Sequence, residues 1–221
     1  MNYFQLNDLQ RQKAKGKSKK CVTYLLLLLL LTNCTSVYRN LKETNGDAKC
    51  ILKFSPKFSQ TLYSAYIDVT KHHLSGILYF KLMPDSTMRV VFTNEMGVKF
   101  FDFSFTKDNH FTKYYILPKM DKKVVVNALR KDMELVLLRP DLSRAKVLKD
   151  TAYIYIAVPD KKGHDYYIME HCEKLIRIEK ASKRKPVEVI QLFNYKDGVP
   201  DSIDIQHKNF KFKIALKKVE K

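Results

Sequence analysis

Short runs rich in aromatic and β-branched residues, each ended by a turn signal, constrain the fold of this chain most strongly. The first four runs occupy residues 76–83, 87–93, 98–106 and 111–117. Turn-forming segments separate them at 84–86, 94–97 and 107–109, of which the first contains a proline and the second a glycine. This spacing predicts an antiparallel meander of four strands.

One amphipathic helix is predicted after the meander, and strands follow it. Apolar residues recur at helical offsets between residues 122 and 138, Asp121 can cap the start, and Arg139-Pro140 ends the pattern. Strand patterns then continue to the C-terminus at 152–158, 165–171, 174–180, 187–195, 202–207 and 209–219. The stretch 54–69 fits either a helix or a first strand. We therefore predict one α+β domain at 54–221: an incomplete antiparallel β-barrel of about ten strands, with a helix covering an apolar interior.

The N-terminus carries a basic segment followed by a leucine run. Residues 11–20 read RQKAKGKSKK, and the apolar stretch 22–32 includes seven consecutive leucines. A membrane-spanning helix needs about 20 apolar residues, so this stretch is typical of a secretory signal. It ends in Leu31-Thr32-Asn33-Cys34, which resembles a bacterial lipobox. We predict that 1–33 are a signal peptide and that Cys34 is the lipid-attachment residue. The alternatives are a plain signal anchor, or a signal peptide that is cleaved at another site while the cysteine is present by chance.

The net charge of residues 34–221 and the residues that follow Cys34 indicate the partners and the cellular location of the protein. Removing 1–33 takes six basic residues and one acid from totals of 41 and 23, so residues 34–221 keep a formal charge of +13. No arginine-rich or aromatic RNA-reading motif accompanies this charge, so we expect no nucleic-acid partner. Thr35 and Ser36 are not acidic; by resemblance to lipoprotein sorting signals, this favours the outer membrane, with the protein facing the periplasm. Residues 34–53 are predicted to be a lipidated tether.

The exported body keeps two cysteines that can form a disulfide. Cys50 and Cys172 would lie in an oxidising compartment, where a disulfide is possible. Two unpaired buried thiols are the alternative, because Cys50 lies near the tether and Cys172 lies within a strand pattern.

The sequence offers no support for catalysis or for a metal site. His72-His73 would point to opposite faces of a strand, as would the neighbours in the segment 170–173, so neither group can readily chelate one ion. Asp102 lies between two phenylalanines and is expected to face solvent. The chain lacks nucleophile-elbow, phosphate-loop and HExxH motifs. We predict no enzyme activity, no cofactor and no metal.

The segment 85–138 carries a resemblance to a known family. Arg89 to Gly97, with the sequence RVVFTNEMG, is similar to the strand and turn of the LolA/LolB lipoprotein carriers, in particular the outer-membrane receptor type. The following strand, hairpin and helix come in the same order, and a proline before a strongly alternating last strand recurs at 200–219. Glu95 replaces the proline usual in the turn. The resemblance implies an incomplete barrel whose helices plug an apolar cavity, with acyl chains as cargo.

This resemblance decides how we interpret the apolar face of the sheet. A curled sheet with so many large side chains on one face must cover that face or fill it, and an ordinary core without a cavity is the alternative. The predicted cavity residues are Leu78, Phe80, Phe92, Phe101, Phe103, Phe105, Leu129, Met133 and Phe212.

Two surface features complete the predicted site. In the resembled receptor, the turn between two early strands projects an apolar residue that helps to put cargo into the membrane. Met96 occupies that position here. Alternatively, Met96 folds back over the sheet edge.

Lys211, Lys213 and Lys217 share the polar face of the last strand and are predicted to contact anionic lipid. Alternatively, they form a solubilising face that guards an edge strand.

Together these expectations describe a monomeric outer-membrane lipoprotein that binds acyl chains and takes part in lipoprotein reception or insertion. Its expected partners are membrane lipid, lipoprotein acyl chains and a periplasmic carrier protein. A general lipid-binding or structural envelope lipoprotein without receptor activity is the alternative function.

Overall fold

The computed structural model describes residues 35–220. The predicted signal peptide and Cys34 therefore lie outside the described residues. The chain divides into a first unit that ends at Arg39 and a second unit from Asn40 onward. Of the first unit, residues 35–39 are described, and the N–H of Arg39 donates to the carbonyl of Ser36 at 3.2 Å.

The second unit is built on one open antiparallel sheet. Its thirteen described strands pair in the order β1-β7-β8-β9-β10-β11-β12-β13-β2-β3-β4-β5-β6, and no pairing between described residues joins the outermost strands. In chain order they are β1 (Lys42–Glu43), β2 (Gln60–Val69), β3 (His72–Leu82), β4 (Met88–Thr93), β5 (Lys99–Phe105), β6 (Phe111–Ile116), β7 (Lys146–Lys149), β8 (Ile154–Asp160), β9 (Gly163–Glu170), β10 (Lys174–Ser182), β11 (Pro186–Lys196), β12 (Val199–His207) and β13 (Phe212–Lys218).

The helix α1 (Lys123–Leu137) packs on the inner face of this sheet. Residues with side chains at helical spacing, including Leu129, Met133 and Val136, are buried against inward-facing strand residues. Three short 3-10 segments complete the described elements: Ala48–Phe54, Pro118–Met120 and Leu142–Arg144. No helix within residues 35–220 has the length and the apolar run needed to cross a membrane.

Alternation of side chains explains the strands that hold the core. In β2, Tyr63, Ala65 and Ile67 point inward and are buried, whereas Ser64 and Tyr66 face outward. The ambiguous stretch 54–69 is thus mainly a strand, preceded by the end of the 3-10 segment.

The sheet has more strands than the ten that we predicted. Three are additional: the formerly ambiguous β2, the four-residue β7 and the two-residue β1, which pairs with β7. Strands as short as β1 and β7 show too few alternations to stand out in a sequence. The predicted tether 34–53 contains β1 and most of the 3-10 segment Ala48–Phe54, whose Ile51 is fully buried.

The expected helix cap at Asp121 is wrong. Asp121 ends the 3-10 turn Pro118–Met120, and α1 begins two residues later with no side-chain cap. The carboxylate of Asp121 instead accepts hydrogen bonds from the ammonium of Lys113 at 2.7 and 2.8 Å. The helix ends just before Arg139-Pro140, as predicted, with Leu138 in the left-handed conformation.

A disulfide joins Cys50 to Cys172. It connects the segment Ala48–Phe54 to the turn between β9 and β10. Cys172 lies in that turn, not within a strand as expected, since His171 and Cys172 both adopt positive φ. The disulfide therefore fixes the segment Ala48–Phe54 to the main sheet.

Candidate functional site

An apolar cavity of about 530 Å³ opens between α1 and the sheet. Strands β2, β5 and β13 supply its floor through Ile67, Phe101 and Phe212, and α1 covers it with Ala128 and Leu129. The volume falls within the range of about 300–1,000 Å³ typical of small-molecule sites. Such a cavity can hold an apolar chain.

The rim of this cavity combines two histidines and two lysines with apolar groups. His72, His73, Lys119 and Lys122 line it beside apolar residues. Val124 on the first turn of α1 is 78% exposed there. A ligand with an apolar tail and an anionic head fits this combination.

A larger open cleft of about 930 Å³ lies at the opposite end of the sheet. Polar and charged residues line most of it, among them Asp197, Asp201 and Glu220. An acyl chain would gain little from leaving water for that cleft. We therefore assign the candidate site to the smaller, apolar cavity.

The nine predicted cavity residues fall into two groups. Phe101, Leu129 and Phe212 line the cavity. The other six belong to the close-packed core and are at most 2% exposed. These six are Leu78, Phe80, Phe92, Phe103, Phe105 and Met133.

The turn that carries Met96 projects into solvent. Met96 is 86% exposed and follows β4 in the five-residue connection to β5. The turn is closed by the Asn94 side chain, which accepts a hydrogen bond from the N–H of Val98 at 2.8 Å, and Gly97 supplies a positive φ of 80°. Met96 therefore does not fold back over the sheet edge.

The Met96 turn lies at the same end of the sheet as the cavity rim. Thr93, the last residue of β4, pairs with Ile77 in the first half of β3, so the β4–β5 turn lies at the same end as the β2–β3 turn. Val69, the last residue of β2, pairs with Phe212, the first residue of β13, so the β12–β13 turn lies there too. We call this end, together with the start of α1, the cavity end. Exposed lysines at this end include Lys71, Lys99, Lys119, Lys122, Lys123, Lys208 and Lys211.

The lysines predicted on the last strand are exposed, but β13 is not an edge strand. It pairs with β12 on one side and β2 on the other, so the interpretation as an edge guard is wrong. Lys211 lies at the cavity end just before β13. Lys217 lies toward the opposite end and forms an ion pair with Asp201.

Asp102 does not face solvent as expected. Its side chain is 2% exposed because Arg89 and Lys99 cover it from neighbouring positions of the outer face. Arg89 in turn stacks over the ring of Tyr114, with 4.7 Å between guanidinium carbon and ring centroid. The carboxylate is therefore part of a structural ion-pair cluster.

A second group of polar residues was missed by the sequence analysis and lies inside the protein. Lys180, Glu188 and His207 occupy paired positions on the adjacent strands β10, β11 and β12. Asp132 of α1 faces them, with its Oδ2 at 3.2 Å from Nε2 of His207. A signal did exist: Glu188 and His207 occupy inward positions in an otherwise apolar strand alternation, and Asp132 lies on the apolar face of α1.

Burial dominates the acid–base behaviour of this group. It raises the pKa of Asp132 to about 7 and raises that of Glu188 well above its usual value, the charge of Asp132 adding to the second shift. Burial also lowers the pKa of His207. Two carboxyl groups thus lie side by side in an environment that disfavours their charge.

Comparison with known proteins bears on the fold. No family model matches the sequence, and no curated protein matches it. Among solved structures, the LolA superfamily protein NE2245 from Nitrosomonas europaea is 9% identical; the alignment covers 80% of this chain and 93% of that one, with a TM-score of 0.50. The fold is LolA-like.

A second solved structure has a lower similarity score. A DUF1329 family protein from Desulfovibrio piger is 8% identical and aligns over 78% of this chain and 90% of its own, with a TM-score of 0.44. At identities this low, structural similarity bears on the fold alone and not on the function.

Proposed function

We propose that this protein is an outer-membrane lipoprotein, anchored through Cys34 and facing the periplasm, that holds acyl chains in the cavity beneath α1. The single observation that carries the proposal is the apolar cavity of about 530 Å³, lined by Phe101, Leu129 and Phe212. The LolA-like fold and the signal-like N-terminus support it. The cargo class is lipid or lipoprotein acyl chains.

The charge at the cavity end supports a membrane-facing orientation. Lys122 and Lys123 stand at the start of α1, where the helix dipole already concentrates positive charge and the first turn contains no acidic residue. Anionic headgroups near this end would offset the repulsion between these two lysines and the positive end of the helix dipole. An acyl chain could then enter the cavity while its head stays among the lysines.

Reception or insertion of lipoproteins is the finer part of the proposal. It depends on the exposed Met96 at the cavity end, since an unbranched apolar side chain can enter the headgroup region. A general lipid-binding role requires the cavity but not Met96. The two roles are therefore separable by experiment.

The experiment fills the cavity and measures fatty-acid binding. Ala128→Trp places a ring where α1 covers the cavity, whereas Asn127→Trp places the same ring on the exposed side of the helix. We expect the first variant to bind a fluorescent fatty acid at least tenfold more weakly and the second to bind like wild type. Equal binding by both variants and wild type contradicts the proposal.

A further inference from the structure

The proposed acyl site leaves the buried group of Asp132, Glu188 and His207 unused. These residues come from α1, β11 and β12, which are distant in sequence and meet in the interior. Two carboxylate oxygens and one imidazole nitrogen, one from each residue, all lie within 4.8 Å of one another. Three donor atoms grouped in this way form a candidate site for a single ion.

Their burial makes the arrangement unusual. The side chains of Asp132 and His207 are 0% and 8% exposed, and Glu188 is 2% exposed. Oε1 of Glu188 is buried without a hydrogen-bond partner among residues 35–220, and Oδ1 of Asp132 has only Nε2 of His207 beside it, at 3.1 Å. Because a buried carboxylate oxygen without a partner is costly, Glu188 leaves acceptor capacity directed into this group.

The neighbouring cations do not supply the missing partner. Lys131, next to Asp132 on α1, donates to Asp165 at 2.7 Å and lies 3.6 Å from Asp160. Lys180 is paired in register with Glu188, yet its ammonium makes no ion pair within the described part of the chain. Its charge acts on the group only from a distance.

We propose that Asp132, Glu188 and His207 are the ligands of one divalent cation of the zinc class. An imidazole nitrogen combined with two carboxylates is a donor set that zinc accepts, with a fourth position for water. Calcium and magnesium prefer six or more oxygen ligands, which this group does not provide. The cation would balance the two carboxylates and use the unpartnered oxygen of Glu188.

The consequence is a link between the covering helix and the sheet. A cation held by α1, β11 and β12 would fix the C-terminal half of the helix that covers the acyl cavity. Phe212 lies between the two sites, because its ring lines the cavity and is 4.7 Å from the His207 ring. The inference stands independently of which cargo the cavity takes.

Calorimetric titration of zinc chloride into detergent-solubilised, EDTA-treated protein tests the proposal. We expect one zinc per chain, and at least ~10-fold weaker binding for the isosteric variants Glu188→Gln and Asp132→Asn. The control His72→Asn/His73→Asn removes the exposed histidine pair at the cavity rim and should bind like wild type. Absence of stoichiometric binding by wild type, or its loss only in the control, overturns the proposal.

A measurement on unmodified protein covers the case in which a variant fails to fold. Imidazole NMR signals report which of the six histidines contacts the ion. We expect zinc to shift the His207 signals at one equivalent and to leave those of His72 and His73 in place. A shift confined to the latter pair, or no shift at all, shows that the buried group holds protons and not a metal.

Discussion

Arg89 of β4 donates two hydrogen bonds to Asp102 of β5, from Nε to Oδ1 and from Nη2 to Oδ2, each 2.8 Å long. Lys99 donates a third at 2.9 Å. Burial by itself would raise the pKa of Asp102, but the hydrogen bonds from Arg89 and Lys99 outweigh it and hold the pKa below its usual value. The negative charge of Asp102 is therefore favoured in the folded protein.

We expect Asp102→Asn to lower the free energy of unfolding by about 1–3 kcal/mol at neutral pH. This is less than the ~3–5 kcal/mol of a fully buried pair, because Arg89 is 37% exposed. Since the folded-state pKa is depressed, the contribution is complete above the unfolded-state value near ~4 and is lost as pH falls through the folded-state value. Urea unfolding at pH 7 and pH 3 measures this difference, and an equal loss at both pH values contradicts the account.

Much of the fold could be predicted from local patterns, because alternation and turn signals act over a few residues. The meander β3–β6, the helix and most later strands lie close to the predicted ranges. The incorrect cap at Asp121 shows where local reasoning fails. Lys113 of β6 reaches the Asp121 carboxylate only in the folded protein. Its hydrogen bonds to Asp121 therefore cannot be predicted from the local sequence.

The candidate site was less predictable, because it depends on how the elements pack. The sequence indicates that Phe101 and Phe103 share one face, but only packing shows that the first reaches the cavity and the second is enclosed. Likewise, Glu188 and His207 become neighbours through the register of β11 and β12. No pattern within either strand specifies that register alone.

The disulfide gives a second prediction. Replacing Cys50 and Cys172 by serine should lower the free energy of unfolding by about 2–5 kcal/mol, because the bond closes a long loop with a separation of 122 residues. Urea unfolding with and without dithiothreitol measures the effect. Wild type should lose stability on reduction, and the double variant should be insensitive; sensitivity of the variant would point to another cause.

The lysines of the last strand should differ in their contribution to membrane binding. Lys211 lies at the cavity end, whereas Lys217 is about 20 Å farther along β13 at ~3.3 Å per residue and is engaged with Asp201. Lys211→Glu should weaken binding to anionic liposomes by at least ~1 kcal/mol at low salt, and Lys217→Glu should change it little. Co-sedimentation at two salt concentrations checks this, and equal effects of both variants would rule out the proposed orientation.

Met96→Glu tests the receptor role. It should leave folding and fatty-acid binding intact, because the side chain is exposed, yet reduce transfer of a bound lipoprotein into liposomes several-fold. Leu82→Glu is the matched control, since Leu82 is 43% exposed at the opposite end of β3. Transfer by Met96→Glu at the wild-type rate would leave general lipid binding as the function.

Membrane anchoring depends on Cys34 in this account. Cys34→Ala should yield an uncleaved or soluble protein, because stable anchoring requires more than one acyl chain or membrane signal. Detergent phase partitioning, followed by mass spectrometry of the N-terminus, detects the change. Variant protein that is cleaved normally and stays in the membrane fraction would show that another residue carries the anchor.

Photo-crosslinking with a diazirine-bearing fatty acid tests the central claim most directly, because it reports where the acyl chain lies. After irradiation, digestion and mass spectrometry, the account predicts labelled peptides from α1, β5 and β13 around Leu129, Phe101 and Phe212. An excess of unlabelled palmitate should abolish the labelling. Labelling that is confined to the outer face of the sheet, or that palmitate does not reduce, would contradict acyl binding in the cavity.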